Sequence, residues 1–262
     1  MRGGVAYPRT LAMAAVSLGV LLAGCASTVN KEQAASVQQR AALRLQLASA
    51  YYMQEQFGIA LEEAEQAVRL APGDAEAHGM RALIFAALRQ PEPAEKDFLY
   101  ALRLAPHNPE LSNNYGQFLC QTGRAAQSLA YFDAALQNAA YGTPELALHN
   151  AGACSLALKD YPRAAAYWGK AERIAPGKAW TYAGLARAYY EQRDYRQAAA
   201  YLQRLDAVAT MESQTADVLW LAIKVQHKLG DAGAEAGLVT QLRRQHSGSP
   251  EYAAYQSGAF DE

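Results

Sequence analysis

Apolar stretches return along this chain at an interval of about 34 residues. Pro72, Pro106 and Pro176 each close a segment reading R-[LI]-A-P, at 69–72, 103–106 and 173–176. A second apolar stretch begins about 34 residues upstream of each proline. No run in the body alternates residue by residue as a half-buried strand does, so the body reads as all-α. A two-helix unit of this length cannot bury its own apolar face and must stack on copies of itself. The pattern predicts a right-handed α-solenoid of about six repeats and roughly twelve antiparallel helices. The repeats fall near 41–74, 75–108, 109–142, 145–178, 179–212 and 216–249. Residues 250–262 form a tail without a repeat, expected to be loose.

The unit resembles the tetratricopeptide repeat (TPR). That family sets small residues at positions 8, 20 and 27, where two helices cross, large residues between them, and a proline at 32 that stops the second helix. Repeat one supplies Leu47, Ala48, Tyr51, Ala60, Ala67 and Pro72; repeat two supplies Ala82, Phe85, Ala94, Phe98, Ala101 and Pro106. Repeat three has Tyr115, Gly116, Leu119, Ser128, Phe132 and Ala135, but Ala140 in place of the proline, followed by the turn-like insertion Gly142-Thr143-Pro144. Repeat four carries Ala151, Gly152, Ala164, Trp168, Ala171 and Pro176, and repeat five Tyr182, Leu185, Ala186, Tyr189, Ala198 and Leu202. Repeat six is degenerate: Trp220, Val239 and Leu242 can bury, but Glu235 stands where alanine is usual. Gln121–Arg124, Lys159–Tyr161, Arg193–Tyr195 and Leu229–Asp231 have the breaker and N-cap residue types of helix–helix turns.

Residues 1–24 read as a targeting segment. Arg2 and Arg9 precede an uncharged apolar run, Leu11 to Leu22, that is shorter than the ~20 residues a spanning helix needs. Leu22-Ala23-Gly24-Cys25 resembles the bacterial lipobox, which implies cleavage before Cys25 and acylation of its thiol. Ala26, where an aspartate would retain the protein, implies the outer membrane, facing the periplasm. Several acyl chains give stable anchoring where one is marginal. Residues 25–40 then read as a polar tether that can run into the first helix; fully extended it would reach ~50 Å.

Composition narrows the chemistry. The net charge is −1, without the basic surplus that a nucleic-acid partner requires. The five histidines are scattered, and no P-loop, G-x-S-x-G or H-E-x-x-H is present. No catalysis, cofactor, metal or small-molecule substrate is expected. Cys120 and Cys154 fall late in the first helices of adjacent repeats, close enough for the Cα separation of a disulfide. The other reading is two buried thiols packing as small apolar groups.

In the TPR architecture, positions 2, 5, 9, 12 and 13 of the first helices line a groove. Candidate partner-binding residues there are Tyr52, Asn113, Gln117, Gln121, His149, Trp180, Arg187 and Tyr190, with Asn114 and Asn150 beside them at position 6. Aromatic, amide and apolar groups suit an extended peptide or an added helix. The basic residues of a C-terminal carboxylate clamp are lacking at its usual positions, and the two position-6 asparagines can equally bond neighbouring backbone at a helix crossing.

A lipobox followed by about six such repeats resembles the PilF/PilW family of type IV pilus lipoproteins. The resemblance covers the whole chain. It is sharpest at Asn113-Asn114-Tyr115-Gly116-Gln117-Phe118-Leu119-Cys120 with Gln121–Arg124, at His149-Asn150-Ala151-Gly152-Ala153-Cys154, and at Leu219–Ile223. It implies a pilotin role: helping the pilus secretin reach the outer membrane and form its ring, and so supporting pilus biogenesis and twitching. The rival reading is a TPR lipoprotein adaptor in outer-membrane β-barrel assembly or peptidoglycan-hydrolase regulation.

Overall fold

The computed structural model describes residue 1 and residues 35–260. The targeting segment, Cys25 and most of the expected tether lie outside the described residues. Residues 35–40, the end of that tether, are already helical. The described residues form thirteen α-helices in two compact units, Met1–Ala105 and Pro106–Glu262.

The first unit holds α1 (35–53), α2 (Phe57–Leu70), α3 (Ala75–Ala87) and α4 (Pro91–Leu104). The second holds α5 (Pro109–Gln121), α6 (Ala125–Gln137), α7 (Pro144–Ala157), α8 (Tyr161–Ile174), α9 (Ala179–Glu191), α10 (Tyr195–Val208), α11 (Ala216–Leu229), α12 (Ala232–His246) and α13 (Pro250–Ser257). Thus α1 to α12 pair into six hairpins. Within the tail, Pro250–Ser257 is helical and packed rather than loose, which corrects the expectation for that stretch. Ser249 caps α13 by accepting from the Tyr252 amide, and Tyr252 and Tyr255 pack with Trp220, Leu219 and Leu242.

Each hairpin turns the same way. Residue 15 of every repeat has positive φ: Glu55, Arg89, Gly123, Lys159, Arg193 and Gly230. The amide that follows each one bonds back five residues, as in Gln56 N to Tyr51 O at 2.9 Å and Asp194 N to Tyr189 O at 2.9 Å. This is the Schellman closure, in which a left-handed residue ends the first helix and satisfies its last carbonyls. Asp160, Asp194 and Asp231 then accept from the backbone amides three residues on and start the second helix. Where R-[LI]-A-P occurs, the second helix ends at Leu70, Leu104 or Ile174 and the alanine before the proline leaves the helical region, because proline disfavours α geometry in its predecessor. Repeat three, without the proline, ends at Gln137. Asn138 takes over there, donating to the His107 carbonyl and accepting from the Ala140 amide.

The cores follow the small–large rule. Ala60, Ala94, Ser128, Ala164 and Ala198 at position 20 are fully buried. Phe132 lies against Gly116, where an added Cβ would come within 2.8 Å of its ring. Trp168 is held more tightly: a Cβ on Gly152 or on Gly184 would approach it to 2.7 or 2.5 Å. Small residues at the helix crossing therefore decide how large the filler can be.

Candidate peptide-binding groove

Helices α7, α9 and α11 are the first helices of repeats four, five and six. Between them opens a groove of about 760 Å³. His149 and Leu156 come from α7, Trp180, Ala183 and Arg187 from α9, and Asp217, Val218 and Leu221 from α11. Trp168 reaches the groove from α8, because the glycines on α7 and α9 leave room for its indole.

His149 joins the aromatic residues. The Trp168 Nε1–H donates to His149 Nδ1 at 3.2 Å, and the His149 ring meets Trp180 edge-on with centroids 4.4 Å apart. A ring that accepts at Nδ1 carries its proton at Nε2. Burial pushes the His149 pKa below its ordinary value, since the charged imidazole would lose solvation. Arg187 lies half-buried and donates weakly to the Asp217 carbonyl at 3.5 Å. The groove thus offers aromatic and aliphatic walls, a neutral imidazole and a cation.

The other candidates are placed differently. Asn150 donates to Asn113 Oδ1 at 3.0 Å, and Asn113 donates to Asn114 at 3.3 Å. Asn113 is buried, so these amides tie α5 to α7. Gln117 is half-buried and Gln121 exposed on α5. Tyr52 belongs to the first unit, where it packs near Phe57 and the Ala48–Ala60 core, and burial raises its phenol pKa. Tyr190 borders a second hollow of about 440 Å³ with Lys224 and Phe260. Cys120 and Cys154 are joined in a disulfide between α5 and α7, with Cα atoms 5.9 Å apart.

The groove positions counted in repeats one, three, four and five left out repeat six and with it Lys224, whereas Val218 and Leu221, at positions 3 and 6 of that repeat, fall outside the counted positions altogether. The same count carried into that repeat puts Lys224 at position 9. Trp168 was missed for another reason: as the position-24 filler it reads as core, and only the two facing glycines expose its edge. Among the described residues no group of three His, Cys, Asp or Glu side chains could hold a metal ion. None of the described helices is long and apolar enough to cross a membrane.

Family models described as tetratricopeptide repeat match residues 45–109, 80–143 and 155–219. The chain is 27% identical over 243 residues to the type IV pilus assembly protein PilF of Pseudomonas aeruginosa, covering 92% of this chain and 95% of the relative. Among solved structures it is similar to PilW, described as a widely conserved type IV pilus biogenesis factor. The identity is 30% and the TM-score 0.77, with 83% of this chain and 99% of that one covered. The solved structure of Pseudomonas aeruginosa PilF matches with 25% identity and a TM-score of 0.76 over 85% of this chain and 99% of that one.

Proposed function

The chain belongs to the PilF/PilW family of tetratricopeptide-repeat proteins of type IV pilus biogenesis, and from that premise we propose that it acts as a pilotin. In this reading Cys25 is acylated and tethers the protein to the periplasmic face of the outer membrane. The groove of repeats four to six holds a segment of the pilus secretin and so promotes the secretin's localisation and ring assembly. The protein works by binding, not by catalysis.

The observation that carries this reading is the open groove with its aromatic walls. An extended segment laid across α7, α9 and α11 would bury apolar surface against the half-buried Leu156, Trp180 and Val218, and the polar groups at its edges would fix register. A tether supplies location while the groove supplies selection, and the two together raise the effective concentration of the partner at the membrane.

Deletion of the gene should leave secretin monomers in place of multimers and abolish surface pili and twitching. Normal secretin multimers would sink the pilotin role. Trp180→Ala should weaken secretin capture tenfold or more without altering the fold, as expected for an aromatic at the centre of an interface. Cys25→Ala should move the protein from the membrane to the soluble fraction; unchanged fractionation rules the anchor out.

A further inference from the structure

Lys224 stands at the ninth position of repeat six, as Arg187 does in repeat five. Its residue is only 5% exposed. No hydrogen bond or ion pair among the described residues reaches its ammonium. Instead Nζ faces two rings, 5.0 Å from the centroid of Tyr190 and 5.6 Å from that of Trp220. Aromatic faces offset part of the lost hydration, but a buried ammonium without an anion is costly and calls for one. The charged side chains around it make the deficit worse. Burial, Arg187 and Lys228 all lower the Lys224 pKa; only Glu191 opposes them, and Glu191 also takes the Tyr161 hydroxyl.

The ammonium opens into the hollow of about 440 Å³ that Arg193, Lys228 and Tyr195 also line. Phe260 forms one wall, its ring stacked on His227 at 3.9 Å and its carbonyl accepting from Tyr190 Oη. The hollow shares Tyr161 and Glu191 with the larger aromatic groove, so the two adjoin on one face. An extended peptide can therefore place large apolar side chains in the first and an acidic side chain in the second.

We propose that Lys224 is the receptor for an Asp or Glu carboxylate of the bound segment, so that the partner's docking sequence pairs aromatic or large apolar residues with an acid a few residues away. The proposal rests on the reading that the groove holds a peptide. Charge complementarity commits it to an acidic occupant: three cationic side chains, Arg187, Arg193 and Lys224, border this end against Glu191 and Asp217.

The test is a random dodecapeptide library displayed on phage and panned on the purified full chain, on Lys224→Met, on Lys224→Arg and on Trp180→Ala. Methionine keeps the bulk of the lysine stem, and thermal melts confirm folding. Wild type should select peptides enriched in Asp or Glu near an aromatic or large apolar residue. Affinity for a selected peptide should fall about tenfold or more on Lys224→Met and equally when the peptide's acid becomes its amide, with no further loss when both are changed. Lys224→Arg should retain binding. If Lys224→Met fails to fold, the acid-to-amide peptide against wild type tests the same pairing. Selected peptides without acidic enrichment, or acids still required by Lys224→Met, overturn the proposal. Acid-free peptides lost on Trp180→Ala would leave the groove reading standing and remove only the carboxylate. No peptide selected by wild type would overturn both.

Discussion

Trp168 shows how one residue joins core and site. Its indole is 2% exposed, pressed between two helices at positions where neither has a side chain, yet its N–H reaches out to His149. Gly152→Ala would drive a methyl group to within 2.7 Å of the ring, and the ring cannot retreat because Gly184 faces its other side. Overpacking of this kind costs about 1–3 kcal/mol. Gly169→Ala on α8 is the control: nothing lies within 4 Å, and replacing a helical glycine should gain about 0.5–1 kcal/mol. Denaturant titration of both variants distinguishes a steric role for Gly152 from a merely small residue; equal stability changes would refute the wedge. His149 adds a pH dependence. Its folded pKa lies below the ordinary value near 6.5, so at lower pH the unfolded chain binds the proton more readily. The stability that the neutral ring contributes is complete above about pH 6.5 and is lost as pH falls through the folded pKa. Protonating Nδ1 also removes the acceptor of the Trp168 N–H. Unfolding free energies measured from pH 7.5 to 5 should fall more steeply for wild type than for His149→Gln, and parallel curves would exclude the histidine as the cause.

The hairpins and the ties between them are the next scale. All six closures use a left-handed residue at position 15, but only Gly123 and Gly230 are glycines. No Cβ clash exists at Gly123, so the cost of Gly123→Ala is conformational alone, about 1–2 kcal/mol. Conversely, Lys159→Gly should relieve strain and leave stability unchanged or slightly raised. Melting both variants checks the pair; a neutral Gly123→Ala would mean the turn can close without φ > 0. The α5–α7 disulfide spans 34 residues. Loop-closure entropy gives such a link about 3–4 kcal/mol. Cys154→Ala should lose that amount or more, since Cys154 also sits in the Leu129–Phe132–Leu148 core, and reductant should lower the wild type without affecting the variant. Much of this scale was legible. Turn residues, N-cap aspartates and the R-[LI]-A-P stops carry local backbone preferences that need no tertiary information. The left-handed geometry at Glu55, Arg89, Lys159 and Arg193 was not, because those residue types do not favour it and the closure of the whole hairpin imposes it. Nor was α13: eight residues show too little periodicity, and its place is set by Trp220 and Leu242, which lie far away in sequence.

At the scale of the molecule, a stack of repeats is stabilised by nearest neighbours, so the number of repeats in a piece decides whether it folds. The second unit, Pro106–Glu262, contains four hairpins, the α13 cap, the disulfide and its own core clusters around Phe132, Trp168, Leu205 and Ile223. It exceeds the roughly three repeats that sustain a stack. It also carries both ends of the groove, from His149 to Lys224. The first unit has two hairpins, and its helices bury mostly alanine: Ala48, Ala60, Ala64, Ala67, Ala77, Ala82, Ala94 and Ala101. Alanine packs closely but removes little apolar surface from water, and the hydrophobic contribution scales with that surface. Residues 106–262 expressed alone should therefore be helical, melt cooperatively and retain peptide binding with affinity close to that of the full chain. Residues 35–105 alone should show weak helicity and no cooperative transition. Circular dichroism and peptide titration on the two fragments decide it. If the larger fragment folds but no longer binds, a residue of the first unit contributes to recognition, and Tyr52 on α1 is the first to substitute.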